Sequence, residues 1–193
     1  VKAVTADTFT YHKLNINNNY ADEARLKVDN LNKKYVLTSF YYKERNGNIQ
    51  GLWVSIWDAV ADSLHANVFT EFDEELKAAA KSSGNSKYAF NDFFIRNIIL
   101  KRDGGFFLTA EDFSSQTSGY NNWNRYNYLY GSPYFSPYNY YSYSPYGYYY
   151  RPFNSFYNQS VRYYYDNVLV INFSKTGRPE WSNIIHKQQF ADD

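Results

Sequence analysis

Cysteine is absent from the 193 residues, and methionine is absent too. Without cysteine the chain can form no disulfide, no thiolate nucleophile and no Cys-based zinc or iron–sulfur centre. With Val1 as the first residue and no methionine anywhere, the sequence reads as a mature chain or a fragment, already free of any signal peptide. No run of eighteen apolar residues occurs, so no helical span of a bilayer is encoded. Net charge is nearly absent as well, at +1, and no global field draws the protein toward nucleic acid or lipid. Histidine is scarce: His12, His65 and His186 form no His-x-x-x-His or His-Glu-x-x-His pair, and they read as surface or strand-end residues. Gly-x-Ser-x-Gly is missing, which removes the serine-hydrolase elbow. Gly104-Gly105 lacks the third glycine of a phosphate loop and reads as a hairpin turn.

What the chain does contain is strand signal. Tyr35-Val36-Leu37-Thr38-Ser39-Phe40-Tyr41-Tyr42 is aromatic and β-branched, and Arg45-Asn46-Gly47-Asn48 follows it. There Asn-Gly is expected to supply the positive-φ pair of a tight hairpin. Leu52-Trp53-Val54-Ser55-Ile56-Trp57, His65-Ala66-Asn67-Val68-Phe69 and Phe93–Leu100 read as further strands. One short helix is expected near residues 73–82, with Asp73, Glu74 and Glu75 at its N-terminal end and Gly84 beyond it.

Two alignments suggest an internal repeat. Tyr35-Val36-Leu37-Thr38-Ser39-Phe40 lies over Phe106-Phe107-Leu108-Thr109-Ala110-Glu111 at an offset of 71 residues, with Leu-Thr in register. Trp57-Asp58 and Ala66-Asn67-Val68-Phe69 lie over Phe173-Ser174 and Ser182-Asn183-Ile184-Ile185 at an offset of 116. The difference, 45 residues, is an insertion in the second copy that coincides with an abrupt change in composition. The expected organisation is an N-terminal strand or linker over residues 1–30 and a first β repeat with the helix and the start of the second over residues 31–113. A Tyr-rich insertion over residues 114–165 and the remainder of the second repeat over residues 166–193 follow, the repeat continuing beyond Asp193. The expected class is all-β: antiparallel, four-stranded, propeller-like blades, two repeats of an incomplete ring. An open sheet or sandwich is the other arrangement of the same units, since a ring takes about four to eight blades.

The segments Ala89–Ile99, Asp103–Glu111 and Tyr164–Phe173, with Gly177 and Trp181-Ser182-Asn183, resemble β-propeller-like repeats of uncharacterised envelope or secreted proteins of Bacteroidota. The resemblance covers residues 30–190 outside the Tyr-rich tract. It implies a bacterial envelope or secreted location and a fold, and it carries over no catalytic residue.

The insertion is the chemically distinctive part. Of 23 tyrosines, 17 fall between Tyr120 and Tyr165, and no acid occurs from Ser114 to Tyr165 while Arg125, Arg151 and Arg162 do. Rigid aromatics with interspersed arginine suit protein hot spots, and also stacking on sugar rings. Candidate contact residues are Trp123, Arg125, Tyr126, Tyr134, Tyr141, Tyr149 and Arg151. Even full burial of these rings falls short of the cost of ordering the segment. The tract is therefore expected to lie against the sheet, a protein partner or further units of its own chain, with carbohydrate as the other candidate. Nucleic acid is not expected, because three arginines without lysine neutralise few phosphates. Acids cluster at Glu71, Asp73, Glu74 and Glu75 and at Glu111-Asp112, where a glycosidase would need two facing carboxylates. The helix start explains the first cluster, and Asp192-Asp193 lacks calcium-loop spacing. No catalytic residue, metal or cofactor is assigned.

Overall fold

The computed structural model describes residues 2–4, 9–45, 47–81, 86–117, 125, 129 and 161–192. The described chain is mostly β, with one α-helix and two antiparallel sheets of four and five strands that do not close into a barrel. In chain order the elements are β1 (Lys2–Val4), β2 (Phe9–Tyr11), β3 (Tyr20–Asp29), β4 (Lys34–Tyr42), β5 (Ile49–Asp58) and β6 (Ser63–Glu71). Then come α1 (Glu74–Ala80), a 3₁₀ turn (Ser86–Tyr88), β7 (Phe93–Leu100), β8 (Phe106–Thr117), β9 (Val161–Phe173), β10 (Pro179–Ile185) and β11 (Gln189–Asp192). β1 and β2 form a two-stranded ribbon.

The first sheet is the meander β3-β4-β5-β6 and the second is β7-β8-β9-β10, with β11 also paired to β9. Two compact units result: Val1–Asp112 with Asn167–Lys187, and Phe113–Asp166 with Gln188–Asp193. The first unit holds both sheets' inner faces. Val36, Phe40, Leu52, Val54 and Ile56 from the first sheet share one buried cluster with Ile95, Phe106, Leu108, Leu169, Ile171 and Ile184 from the second. Leu76 and Ala80 of α1 join it. Asp73 caps α1, its Oδ1 accepting from the Leu76 N–H at 2.7 Å, which satisfies an orphan donor of the first turn.

The two meanders share strand order and direction. Near the start of β3, Glu23 Oε2 accepts from the Ile95 N–H at the start of β7 (3.1 Å). At the other end a methyl added to Gly104, in the β7–β8 turn, would lie 3.5 Å from Asn32 in the β3–β4 turn. On the far strands, a methyl on Gly177 in the β9–β10 turn would lie 3.1 Å from Val54 Cγ1 of β5. Sheets that superpose by translation in this way must meet front to back. The side chains on the facing surface of the first sheet therefore correspond to the outer surface of the second. The Leu-Thr register agrees, since Thr38 is buried between the sheets while Thr109 lies half-buried on the outer side of the second.

The outer face of the first sheet is also covered. Tyr41, Trp53 and Trp57 are buried there, and the Trp57 ring lies 4.2 Å from that of His12. Trp53 Nε1 donates to Asn67 Oδ1 (2.6 Å), and Asn67 Nδ2 donates to the Asn15 carbonyl (2.8 Å). Alternate residues His12, Leu14 and Ile16 are half-buried, so residues 12–16 lie as an extended strap on this aromatic face.

Two sequence expectations change. The β4–β5 connection spans residues 43–48, closed by the Gly47 N–H on the Glu44 carbonyl (3.0 Å), and Gly47 is not in the positive-φ region. A six-residue connection turns the chain without a two-residue positive-φ pair; Asn46 lies outside the described residues. Tyr20–Asp29, assigned to an N-terminal strand or linker, pairs with β4 from Tyr20↔Tyr42 to Asp29↔Lys34, so the first sheet starts at Tyr20.

Candidate binding surface

The Tyr-rich tract leaves β8 after Thr117 and returns at Val161. This is the connection between the second and third strands of a meander, where the first sheet has only residues 43–48. Both flanks of residues 114–165, given above to the insertion, are strand: β8 runs to Thr117 and β9 begins at Val161.

The described part of the second unit is an aromatic ribbon. Alternation along β9 puts Tyr163 and Tyr165 on one side, where they pack on the buried Phe113 with centroids 6.2 and 5.2 Å away. Such offset pairs add about 0.5–1.5 kcal/mol each beyond area burial. On the opposite side Tyr164 donates its hydroxyl to Gln116 Oε1 (3.1 Å). There β11 pairs with β9, setting Phe190 against Tyr164 and Asp192 against Arg162. Arg162 stacks over the exposed Phe190 ring at 4.7 Å and binds Asp192 through Nε and Nη2. Hydrogen bonding to Arg162, then its charge, holds the Asp192 carboxyl below the ordinary carboxylate value, and the guanidinium is raised in return. The local positive charge assigned to Arg162 is thus matched by an acid from β11.

Of the proposed contact residues, Arg125 is described, and it is buried. Trp123, Tyr126, Tyr134, Tyr141, Tyr149 and Arg151 lie outside the described residues. The ribbon residues Phe113, Tyr163, Tyr165 and Phe190 escaped the sequence analysis. Tyr163-Tyr164-Tyr165 were counted with the tract, and only the alternation of strand β9 separates them from it.

Glu71, Asp73, Glu74 and Glu111 are engaged in structural roles. Both oxygens of Glu111 are held by cations, Oε1 by Lys187 Nζ (2.6 Å) and Oε2 by Arg96 Nε (2.9 Å). Glu71 pairs with Lys43 (3.0 Å). Lys77 hydrogen-bonds Glu74 and keeps its carboxyl below the ordinary value. Gly104 and Gly105 form the β7–β8 turn, with Gly104 at φ 85° and the Gly105 N–H donating to Asp103 Oδ1. His12 packs on Trp57, and His186 Nδ1 lies 3.3 Å from Asn167 Oδ1. Among the described residues no group of three His, Asp or Glu side chains is placed to hold a metal ion. Nor, among them, is any helix long and apolar enough to cross a membrane. Comparison with family models, with curated proteins and with solved structures returns no match.

Proposed function

We propose that this chain is a non-catalytic binding or assembly module of a bacterial envelope or secreted protein, with residues 118–160 as its protein-contact surface. The observation that carries this is positional. A tract rich in tyrosine replaces a six-residue connection at a single hairpin, and it springs from a ribbon already faced with Phe113, Tyr163 and Tyr165. Tyrosine brings large rigid area at low entropy cost, which is what a protein-contact loop needs. The propeller-like relation is supported by the shared strand order, by β3 lying beside β7, and by front-to-back packing of the meanders. The carboxylates described above serve caps and ion pairs, which favours binding over hydrolysis.

The test is to replace residues 118–160 with the sequence of residues 43–48 and to use both chains as baits against an envelope extract of the producing cell. A protein retained by the intact chain and lost with the shortened one is the expected result. Equal retention by both overturns the assignment. A glycan array run in parallel separates the second candidate: sugar binding that disappears with the tract makes it a carbohydrate platform instead.

A further inference from the structure

The outer face of the second sheet is uneven. At one end Phe94, opposite Glu111, is buried (2 %). At the turn end Trp181 keeps about half its surface in water (48 %) beside Phe107, with ring centroids 5.9 Å apart. Two irregularities meet there. The β9–β10 ladder shifts between Pro179↔Phe173 and Trp181↔Asn172, so Glu180 is the extra residue of a β-bulge. Leu169, Ile171 and Phe173 enter the buried cluster, so alternation sets Asn172 on the outer side with its partner Trp181. The bulge brings Glu180 to that side too, where its Oε2 accepts from Asn172 Nδ2 (2.6 Å).

The second irregularity is Asn172 itself. It is 7 % exposed, and its Oδ1 is buried with no hydrogen-bond partner. An unpaired buried acceptor costs free energy that a donor reaching it would restore. Lys101 completes the group. Its Nζ lies 5.5 Å from the Phe107 ring centroid, 3.7 Å from Glu180 Oε2 and 3.8 Å from Asp103 Oδ2.

We infer that Trp181, Phe107, Asn172, Glu180 and Lys101 form a subsite for a neutral pyranose sugar. Three features select that class. The exposed indole is a flat apolar surface with a negative quadrupole, which matches the C–H face of a sugar ring. Acceptors dominate the polar groups: Glu180, Asp103 and Asn172 Oδ1 accept, and Asn172 Nδ2 is already committed, so the ligand must bring donors. Ions fit poorly. Lys101 is shared by two acids and offers an anion no free charge, and it already holds the place over Phe107 that a cation would take. A polyhydroxylated ring with one apolar face meets all three conditions. Asn172 Oδ1 is covered in the free chain, so a hydroxyl reaches it when Lys101, on its flexible stem, or the half-exposed Trp181 ring gives way. Without enclosing walls the site binds weakly, with a Kd on the order of 1 mM. It uses no residue of 118–160 and does not rest on their proposed role.

The test is saturation-transfer NMR on the full chain with four neutral tetrasaccharides: cellotetraose, xylotetraose, mannotetraose and N-acetylated chitotetraose. Saturable transfer to at least one, accompanied by a shift of the Trp181 indole N–H signal, is the expected result. Trp181→Ala should weaken binding at least about tenfold, while Trp181→Phe, which keeps an aromatic platform, retains most of it. Glu180→Ala, on the exposed bulge, should also weaken it and keeps the test independent of any folding defect at Trp181. No transfer to any of the four overturns the inference, as does binding indifferent to both Trp181→Ala and Glu180→Ala. Binding lost when residues 118–160 are shortened, with Trp181 intact, also overturns it and places the sugar on the tract. Tighter binding of arginine methyl ester than of every sugar overturns it too, and makes the patch a cation site.

Discussion

The two meanders have the same strand order yet differ in two places, and each difference exposes something. The first sheet has a short connection between its second and third strands and a strap over its outer face. The second has residues 118–160 in the same connection, and on its outer face Phe94 is buried while Ile99, Trp181 and Ile185 are about half exposed. One topology thus carries a sheet covered on both faces and a sheet whose outer face is exposed in part. The proposed contact surface belongs to the second, which makes the first its scaffold under that proposal.

The first sheet is the place to break that division most severely. Gly51 of β5 sits between Tyr41 of β4 and Glu71 of β6, and a methyl there would collide with the Thr70 carbonyl oxygen. That neighbour is backbone, so relief requires opening the β5–β6 ladder. Gly51→Ala should cost about 3 kcal/mol or more in denaturant unfolding. Asn167, the matching position at the offset of 116, carries a side chain that donates to the Ala80 carbonyl (2.9 Å), so Asn167→Ala should cost about 1 kcal/mol.

Next in size is the joint between the first strands. Glu23 holds φ 53°, left-handed for a non-glycine residue, and its side chain is 5 % exposed. It accepts from the Ile95 N–H and pairs with Arg25. Glu23→Ala leaves that N–H without this acceptor and should cost about 2 kcal/mol, with Glu23→Gln losing less because an acceptor remains. Equal losses would mean that charge, and not the hydrogen bond, holds the joint.

Shortening residues 118–160 to the length of residues 43–48 tests the second sheet's extra surface. The change removes about three doublings of loop length, so closure entropy predicts a gain of about 1.5–2 kcal/mol. A loss instead would mean that the tract packs on its own sheets and has no aromatic face left for a partner. A smaller effect separates the matched threonines. The Thr38 hydroxyl is buried without a hydrogen-bond partner, so Thr38→Val should stabilise by about 1 kcal/mol. Thr109→Val, on the hydrated outer side, should change little.

Sequence pattern made the central strands legible because Tyr35–Tyr42 and Leu52–Trp57 are buried on both faces, which selects aromatic and β-branched residues throughout. The helix was legible from Asp73, Glu74 and Glu75, whose acids do cap and charge its first turn. β3 was not, because Tyr20–Asp29 is an outer strand with charge at Asp22, Glu23, Arg25, Lys27 and Asp29. Pairing with β4 makes it a strand, and local composition does not. Gly47 misled for a related reason: Asn-Gly favours a positive-φ turn locally, but the longer connection satisfies the ladder without one. The strap over Trp53 and Trp57 left no trace in composition, since its alternating burial depends on a sheet distant in sequence. For the candidate surface, tyrosine density marked the region while hiding the strand residues at its base.

The smallest expected effect lies in β11 and carries a definite sign. Arg162 holds the Asp192 carboxyl below its ordinary value, mainly through their hydrogen bond, so the folded form favours the ionised acid. A depressed carboxyl contributes stability that is present above its unfolded value of about 3.9 and is lost as pH falls through the lower folded value. The pair is exposed to solvent, so the contribution is small and screened by salt. A carbon-detected NMR titration of the Asp192 carboxyl should give a midpoint below about 3.9 that returns toward it in Arg162→Ala. Amide protection across Gln189–Asp192, measured against that of β10, should fall over the same acid range in the intact chain. Asp192→Asn should abolish this pH dependence while leaving β10 unchanged. Identical midpoints with and without Arg162 would mean that β11 is held by its ladder to β9 alone, leaving Arg162 and the Phe190 ring beneath it free to serve a partner.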